Sequence, residues 1–175
     1  MKTIILILSI FLFNTLLATC PEVLNHEVRV LDSKEVKNLC EYQDKVVLAV
    51  NVASRCGYTP QYKGLQNLYK DLQDKDFVIL GFPSRDFMRQ EFSDESKVKE
   101  FCSTVYGVTF PMFATSPVKG NKANDFFKGL IKRTGVEPGW NFHKYLIDKQ
   151  GLVKSFNTKV EPGSRELLDS IESLL

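Results

Sequence analysis

The sequence has few of the residues that bind transition metals. Its 175 residues include two histidines, His26 and His143, which lie far apart along the chain and in no ligand spacing. A zinc or copper module brings several His and Cys ligands together at characteristic intervals. We therefore expect no metal and no cofactor, and we expect both histidines to be structural or to face solvent.

A strong charge of either sign is also lacking. The chain has 23 Lys and Arg against 21 Asp and Glu, a formal net charge of +2, and its basic residues are scattered. Proteins that bind polyanions concentrate Lys and Arg in a patch or a run. The composition therefore predicts no nucleic-acid partner. A hydrophobic content of 43% is ordinary for a globular protein with a core.

No apolar run is long enough for a comfortable membrane span. The longest, residues 4–13, follows Lys2 and leads into small and polar residues that end at Thr19. A transmembrane helix needs about 20 apolar residues, whereas a charged start, a short apolar run and a small-residue end are typical of a secretory signal. We predict a secretory signal segment at residues 1–19 and a single domain at residues 20–175, exported to the periplasm or secreted, with no stable membrane span. A buried N-terminal helix is the alternative.

The four cysteines, Cys20, Cys40, Cys56 and Cys102, are expected to have two different roles. Export would place them where disulfides persist. A Cys20–Cys40 bridge would tie an irregular segment to the domain and close a loop of about twenty residues, worth about 3 kcal/mol, although four cysteines allow three pairings. Residues 17–20, LATC, also resemble a lipobox in which Cys20 carries a lipid anchor, but threonine is a poor fit directly before that cysteine.

Hydrophobic patterning divides the rest of the chain into strands and helices. Residues 46–52 and 77–82 are continuous β-prone runs, typical of strands buried on both faces. We predict these two strands, a short strand at 110–113, a hairpin of strands at 142–147 and 152–156, and helices at about 60–72, 94–105, 123–133 and 164–174. Thr59 is the expected N-cap of the first helix, and Gly151 supplies the positive φ of the hairpin turn. This order indicates an α/β, thioredoxin-like fold with a central mixed sheet flanked by helices.

Cys56 lies between the first buried strand and the first helix, where a thiolate is favoured. A helix N-terminus carries partial positive charge and unpaired N–H groups, and both stabilise a thiolate. The guanidinium of Arg55 adds to this effect if it folds back over the sulfur. Because a thiolate attacks peroxide oxygen and becomes a sulfenic acid, Cys56 is the predicted peroxidatic cysteine rather than an inert core residue.

Three motifs resemble those of the glutathione peroxidase family. Residues 51–59, NVASRCGYT, are similar to the family signature, with cysteine where some members carry selenocysteine. Residues 81–83, GFP, followed by Phe87 and by QE at 90–91, are similar to its second motif, and residues 140–142, WNF, to its third. The motifs occur in the family's order, and the match covers nearly all of the predicted domain. The resemblance implies a cysteine-containing (non-selenium) peroxidase that reduces hydrogen peroxide or organic hydroperoxides, and the predicted signal segment would make it an exported member of the family.

The same resemblance implies further site residues. The family uses a Trp and an Asn as hydrogen-bond donors to the sulfur, and these roles fall on Trp140 and Asn141. The family's usual catalytic Gln aligns with Asp86. A carboxylate beside a thiolate destabilises it unless Arg85 neutralises the charge or Asp86 turns away. The role of Asp86 therefore stays open, and the role of the Gln is not transferred to Gln90.

Residues 101–111 are similar to the stretch that holds the resolving cysteine in the non-selenium members. The resemblance therefore implies a Cys56–Cys102 disulfide intermediate, which a thioredoxin-like protein or glutathione re-reduces. A core-facing Cys102 on an amphipathic helix is the alternative. The short segment between Pro111 and Trp140 lacks the insertion that forms the interface of tetrameric relatives, which implies a monomer.

Other thiol proteins with a similar fold fit the sequence less well. A thioredoxin-like disulfide carrier needs Cys-x-x-Cys, but Thr59 stands three residues after Cys56. The peroxiredoxin signature needs Pro where Ala49 stands and Thr where Ala53 stands. The alternative function is a peroxide-sensing thiol–disulfide protein, or a disulfide carrier, that keeps Cys56 and Cys102 but has no peroxidase turnover.

Overall fold

A four-stranded mixed sheet forms the centre of the protein. In this computed structural model, which describes residues 19–175, the strand order is β4-β3-β5-β6. The strands β3 (Val46–Val52) and β4 (Phe77–Pro83) are parallel, whereas β5 (Lys144–Ile147) and β6 (Val153–Phe156) are antiparallel to their neighbours. The predicted thioredoxin-like α/β fold with a mixed sheet is confirmed.

The strands β3 and β4 are buried along their whole length, as their continuous apolar sequences predict. Successive side chains of a strand point to opposite faces of the sheet. Accordingly, Val46, Leu48 and Val50 lie in the hydrophobic core on one face, and Val47 and Ala49 lie in the core on the other. The sheet therefore separates two cores.

Helices cover both faces of the sheet. The first core contains side chains from α1 (Gln61–Leu72), α2 (Glu95–Tyr106) and α4 (Arg165–Glu172), and the second contains side chains from α3 (Asp125–Thr134). All four helices lie where the apolar periodicity predicts them, with ends that differ by a few residues. The helices thus complete the layered arrangement that the element order indicates.

Polar caps and glycines set the ends of several helices. The side chains of Asp94, Asn124 and Ser164 precede α2, α3 and α4, and each accepts a backbone N–H from the first turn. Gly107 and Gly135 end α2 and α3 in the left-handed conformation that glycine adopts most easily. In the described part of the chain, no helix is long and apolar enough to cross a membrane.

A disulfide bond ties down the N-terminal part of the domain. Cys20 and Cys40 are joined, with Cα atoms 5.4 Å apart, which confirms the predicted pairing. Cys40 follows a short antiparallel pair of strands, β1 (Glu27–Arg29) and β2 (Val36–Asn38), that the sequence analysis did not predict. These strands have three residues each and are partly exposed, so they carry little hydrophobic alternation. The predicted signal segment lies outside the described residues, which begin at position 19.

The predicted strand at 110–113 is wrong. Met112 and Phe113 form isolated bridges only, and Pro111 has no N–H with which to continue a ladder. The segment instead lies against β4, where the carbonyl of Pro111 accepts the N–H of Gly81 at 2.9 Å. A Cβ at Gly81 would come within 2.3 Å of the Met112 sulfur, so glycine permits this close approach.

The strands β5 and β6 form the predicted hairpin, in which Gly151 has a φ of 84°. The strand β5 starts at Lys144 rather than at the predicted residue 142, because Phe142 has a left-handed φ of 64°. A strand requires an extended backbone. The chain therefore turns at Phe142 before it enters the sheet, and this turn borders the candidate site.

Candidate active site

Cys56 lies in a tight turn beyond the carboxyl end of β3. Its side chain is 7% exposed and its thiol is free. Its backbone N–H donates to Oγ1 of Thr59 at 2.9 Å, and that hydroxyl donates to the carbonyl of Ala53 at 2.8 Å. The N–H of Tyr58 donates to Sγ of Cys56 at 3.4 Å. A backbone N–H directed at the sulfur stabilises negative charge there, as a nucleophilic thiolate requires.

The prediction that Thr59 is the N-cap of α1 is wrong. The helix begins at Gln61 after Pro60, and no side chain caps it. The Thr59 hydroxyl is engaged instead by the turn that contains Cys56. Two backbone hydrogen bonds, from Thr59 N–H to the Cys56 carbonyl and from Gln61 N–H to the Tyr58 carbonyl, connect this turn to the helix. Cys56 therefore precedes the first turn of α1 rather than belonging to it.

The turn formed by residues 140–142 is held at each of its three carbonyls. Each carbonyl accepts a hydrogen bond from a different buried side chain: Asn51 to Trp140 at 3.1 Å, Thr158 to Asn141 at 2.9 Å, and Lys144 to Phe142 at 2.7 Å. Since Asn51 belongs to β3, these bonds place the turn beside the strand that leads to Cys56. Left-handed backbone persists at a non-glycine residue when its surroundings over-determine it, which accounts for the φ of Phe142.

The side chains of Trp140 and Asn141 have different surroundings. The Trp140 indole packs on Phe87, with ring centroids 5.6 Å apart, and on the core that contains Cys56. Nδ2 of the buried Asn141 donates to Oε1 of Gln90 at 2.9 Å, and its Oδ1 has no partner among the described residues. Within the same part of the chain neither side chain donates to the Cys56 sulfur. Their roles as donors to the sulfur stay predictions.

The carboxylate of Asp86 is engaged by backbone amides of a neighbouring loop. Its Oδ2 accepts the backbone N–H groups of Val118 at 2.7 Å and of Lys119 at 3.2 Å. The carboxylate therefore orders a neighbouring loop. It takes no part in the hydrogen bonds around Cys56.

The residue before Cys56 connects it to the segment that contains Gln90. The backbone N–H of Arg55 donates to the carbonyl of Gln90 at 2.9 Å. Its guanidinium donates to the carbonyl of Glu91 at 3.2 Å and lies over the ring of Phe92 at 4.7 Å, so it does not fold back over the sulfur. Glu91 is buried, and burial raises the pKa of its carboxyl. Gln90, to which the sequence analysis gave no role, thus belongs to the site.

Cys102 is a free, buried cysteine on α2. Burial raises the pKa of its thiol to about 11. The hydroxyl of the neighbouring Tyr62 lowers this pKa in part, although it has no hydrogen-bond partner among the described residues. Cys102 lines a groove of about 390 Å³ together with Leu31 and Lys99, and Cys56 is not part of that lining. Both free cysteines are buried, and Cys102 alone contributes to this groove.

A cavity of about 540 Å³ lies beside Tyr58, whose N–H points at the reactive sulfur. Trp140 forms another aromatic part of the lining, and the exposed Lys159 contributes a positive charge. His143 lines it as well. That histidine is buried, its Nε2 lies 2.9 Å from Oγ of Ser155, and burial lowers its pKa to about 4. Across residues 19–175, no group of three or more His, Cys, Asp or Glu could hold a metal ion.

Lys144 is a residue that the sequence analysis missed. It is fully buried, and its Nζ donates to Oε1 of Gln61 at 2.8 Å and to the carbonyl of Phe142 at 2.7 Å. Burial lowers the pKa of its ammonium to about 8. The signal was present, because a lysine inside a run of buried strand residues is rare.

The fold and the site define a thiol-dependent oxidoreductase with a thioredoxin-like fold. Residues 23–131 match the family model for glutathione peroxidase. The chain is 42% identical over 152 residues to the glutathione peroxidase homolog BsaA of Halalkalibacterium halodurans, covering 84% of this chain and 95% of that protein. It is 42% identical over 151 residues to the hydroperoxy fatty acid reductase gpx1 of Synechocystis, covering 78% of this chain and 86% of that protein.

A solved structure leads to the same family. The crystal structure of Trgpx in its apo form superposes with a TM-score of 0.69 and 32% sequence identity, covering 87% of this chain and 94% of that one. The chain belongs to the glutathione peroxidase family. It is a peroxidase with cysteine at the position where some family members carry selenocysteine.

Proposed function

We propose that Cys56 is the nucleophile of this thiol peroxidase and that its substrates are hydrogen peroxide and organic hydroperoxides. The observation that carries the proposal is the free Cys56 thiol, whose sulfur accepts the Tyr58 N–H next to the turn with Trp140 and Asn141. The thiolate attacks one peroxide oxygen and the O–O bond breaks. The departing alkoxide takes a proton and leaves as an alcohol, and the sulfur, oxidised by two electrons, becomes a sulfenic acid.

The cavity beside Tyr58 supports organic hydroperoxides as substrates. Its aromatic lining residues suit an apolar chain, and Lys159 in the same lining suits an acidic group on the substrate. The similarity to a protein named hydroperoxy fatty acid reductase points to the same substrate class. Hydrogen peroxide needs no such cavity. The ratio of the activity with an organic hydroperoxide to the activity with hydrogen peroxide therefore measures whether the cavity binds substrate.

For the second step we propose that Cys102 resolves the sulfenic acid. Its thiolate displaces hydroxide, which leaves as water after protonation, and a Cys56–Cys102 disulfide forms. A disulfide requires Cα atoms about 4.4–6.8 Å apart, and the structure holds Cys102 as a free, buried thiol on a helix that is capped at both ends. We therefore propose that α2 opens locally to bring Cys102 to the sulfenic acid. In the oxidised protein, we expect the α2 amides to lose protection from hydrogen exchange.

A thioredoxin-like dithiol is the proposed reductant, with glutathione as the second possibility. The dithiol is oxidised to a disulfide while both cysteines of the peroxidase return to thiols. An intramolecular Cys56–Cys102 bridge suits such a partner, because one dithiol protein supplies both electrons to one disulfide. We also propose that the protein is a monomer, since the segment between Pro111 and Trp140 is short.

The experiment compares wild type with Cys56→Ser and Cys102→Ser in a coupled thioredoxin assay, with glutathione in a parallel arm. Wild type should consume peroxide continuously, and Cys56→Ser should not. Cys102→Ser should form a sulfenic acid once, which dimedone traps, and then stop. If wild type and Cys56→Ser consume peroxide equally slowly, the proposal is wrong. Oxidation of wild type without turnover would indicate a peroxide sensor instead.

We further propose that the protein is exported, with residues 1–19 as the signal segment. The Cys20–Cys40 disulfide supports this, because such bonds persist outside the reducing cytosol. The same bond occupies the Cys20 sulfur that a lipid anchor would need. Mass spectrometry of the protein from its source should find a chain that begins near Cys20 and contains the bridge. A lipid on Cys20 would contradict the soluble form, and an intact N-terminus would contradict export.

A further inference from the structure

A buried ammonium holds the turn that contains Trp140 and Asn141. Lys144 has no exposed surface, and both of its acceptors, the Gln61 side-chain oxygen and the Phe142 carbonyl, are neutral. Among the described residues no carboxylate lies within ion-pair distance of its Nζ. The carboxylate of Glu161, which accepts a hydrogen bond from Nε2 of Gln61 at 3.3 Å, stabilises the ammonium only from beyond ion-pair distance. Burying a charge without a directly paired counter-charge is costly. An apolar side chain could fill the same space at a lower free-energy cost of burial. The ammonium is therefore expected to have a role beyond packing.

A series of hydrogen bonds leads from this ammonium to Arg55, the residue before the reactive cysteine. Lys144 donates to the side-chain oxygen of Gln61, and the side-chain nitrogen of Gln61 donates to the carbonyl of Thr158. The Thr158 hydroxyl donates to the carbonyl of Asn141, and the Asn141 side-chain amide donates to the side-chain oxygen of Gln90. The carbonyl of Gln90 in turn accepts the backbone N–H of Arg55. Each of these bonds is between 2.7 and 2.9 Å long. The path ends at the residue bonded to Cys56, so a change at Lys144 can reach the geometry of the thiol.

We propose that Lys144 is a positioning residue for the peroxidase reaction. Its ammonium holds the 140–142 turn against the start of α1, and the turn in turn sets where Asn141 and Gln90 lie relative to the Cys56 sulfur. The inference rests on the proposed function, because it concerns the reaction of Cys56 with peroxide. Lys144 itself touches neither the substrate nor the sulfur.

Peroxide attack is more sensitive to such positioning than simple alkylation. Cleavage of the O–O bond needs donors that stabilise the departing oxygen, and a small displacement of such groups costs rate. Alkylation by iodoacetamide needs mainly an accessible thiolate. Loss of positioning should therefore slow the peroxide reaction selectively. A merely structural defect should lower stability and slow both reactions together.

The experiment uses full-length Lys144→Met and Thr158→Val. The first removes the ammonium at similar length. The second removes only the hydrogen bond to the Asn141 carbonyl and keeps the side-chain shape, so it decides the matter if Lys144→Met fails to fold. Lys154→Met removes an exposed lysine on β6 and is the matched control. Peroxide rates are followed by the fluorescence of Trp140, the protein's single tryptophan, and alkylation of Cys56 by mass spectrometry.

We expect Lys144→Met and Thr158→Val to lower the peroxide rate constant by about 10- to 100-fold, with alkylation and the Lys154→Met control nearly unchanged. Peroxide rates equal to wild type in both variants overturn the inference. A parallel fall of alkylation, peroxide rate and melting temperature overturns it as well, because it indicates a structural role only. If wild type itself fails to react with peroxide, the proposed function is what fails.

Discussion

The carboxylate of Asp86 accepts a hydrogen bond from the backbone N–H of Val118 at 2.7 Å. Its charge therefore orders a loop and takes no part in the hydrogen bonds around Cys56. We expect Asp86→Ala to lower the free energy of unfolding by about 1 kcal/mol and to leave the rate of Cys56 oxidation nearly unchanged. Urea unfolding and stopped-flow peroxide kinetics measure the two effects. Asp86→Asn, which keeps an acceptor oxygen, is the control. A large loss of peroxide reactivity at unchanged stability would contradict this assignment.

The Thr59 hydroxyl should matter to the Cys56 turn rather than to the helix. In Thr59→Val the backbone N–H of Cys56 loses its acceptor in a buried position, which costs about 1–3 kcal/mol. We expect lower stability and slower reaction with peroxide, whereas Thr59→Ser keeps the hydroxyl and stays close to wild type. Thermal unfolding and single-turnover kinetics on both variants check this. Equal behaviour of Val and Ser at position 59 would show that the hydroxyl is not required and would contradict this prediction.

Met88 and Arg89 are consecutive exposed residues with φ of 52° each. Left-handed backbone costs a non-glycine residue about 1–2 kcal/mol. Met88→Gly relieves this strain but adds freedom to the unfolded chain, so we expect a net gain of up to about 1 kcal/mol in unfolding free energy. Arg85→Gly, an exposed position in the same segment without positive φ, should be destabilising. Urea unfolding distinguishes them, and destabilisation by both substitutions would contradict the strain argument.

Buried His143 should make stability fall in acid. Its pKa drops from the ordinary 6.5 to about 4 on folding because burial disfavours the charged ring. Between these values the unfolded chain binds a proton that the folded protein does not. The stability contribution is therefore present above pH 6.5 and is lost as the pH falls through 4. It amounts to at most about 3 kcal/mol.

Urea unfolding at pH 7 and at about pH 4.5 measures this contribution. His143→Gln should lose less stability between the two pH values than wild type does. The half-buried His26 also has a lowered pKa, which burial causes, and His26→Gln should remove a smaller part of the acid sensitivity. If His143→Gln is as acid-sensitive as wild type, other groups are responsible.

Much of the fold could be predicted from the sequence because its main signals are local. Residues 46–52, apart from Asn51, and residues 77–83 are apolar and β-prone, which is typical of a strand buried on both faces. The segment 110–113 has a similar composition. Its conformation is decided by Pro111, which has no N–H to donate to a neighbouring strand, and by the contact with Gly81. The β1–β2 pair depends on contacts with distant parts of the chain. Its strands are too short to show an alternation of apolar and polar residues.

The site was predictable where one residue's chemistry carried the signal. The position of Cys56 between a buried strand and a helix, together with the motif around it, predicts a reactive thiol, and the structure has a free thiol there. The predicted Cys20–Cys40 pairing is present. The orientation of Asp86 was not predictable, because it depends on amides more than thirty residues away. The link from Lys144 to Gln61 spans 83 residues and has no local pattern. Polar networks of this kind are properties of the folded chain.

The capping of α2 has a kinetic consequence. Asp94 and Gly107 secure the two ends of the helix, and Cys102 is buried on it. In the proposed cycle this helix opens before Cys102 reaches the sulfenic acid, and while it stays closed a second peroxide molecule can oxidise Cys56 to the sulfinic acid, which thiols do not reverse. The stability of one helix thus sets how much peroxide the enzyme survives. A variant with a tighter α2 would resist urea better and be inactivated sooner by its own substrate.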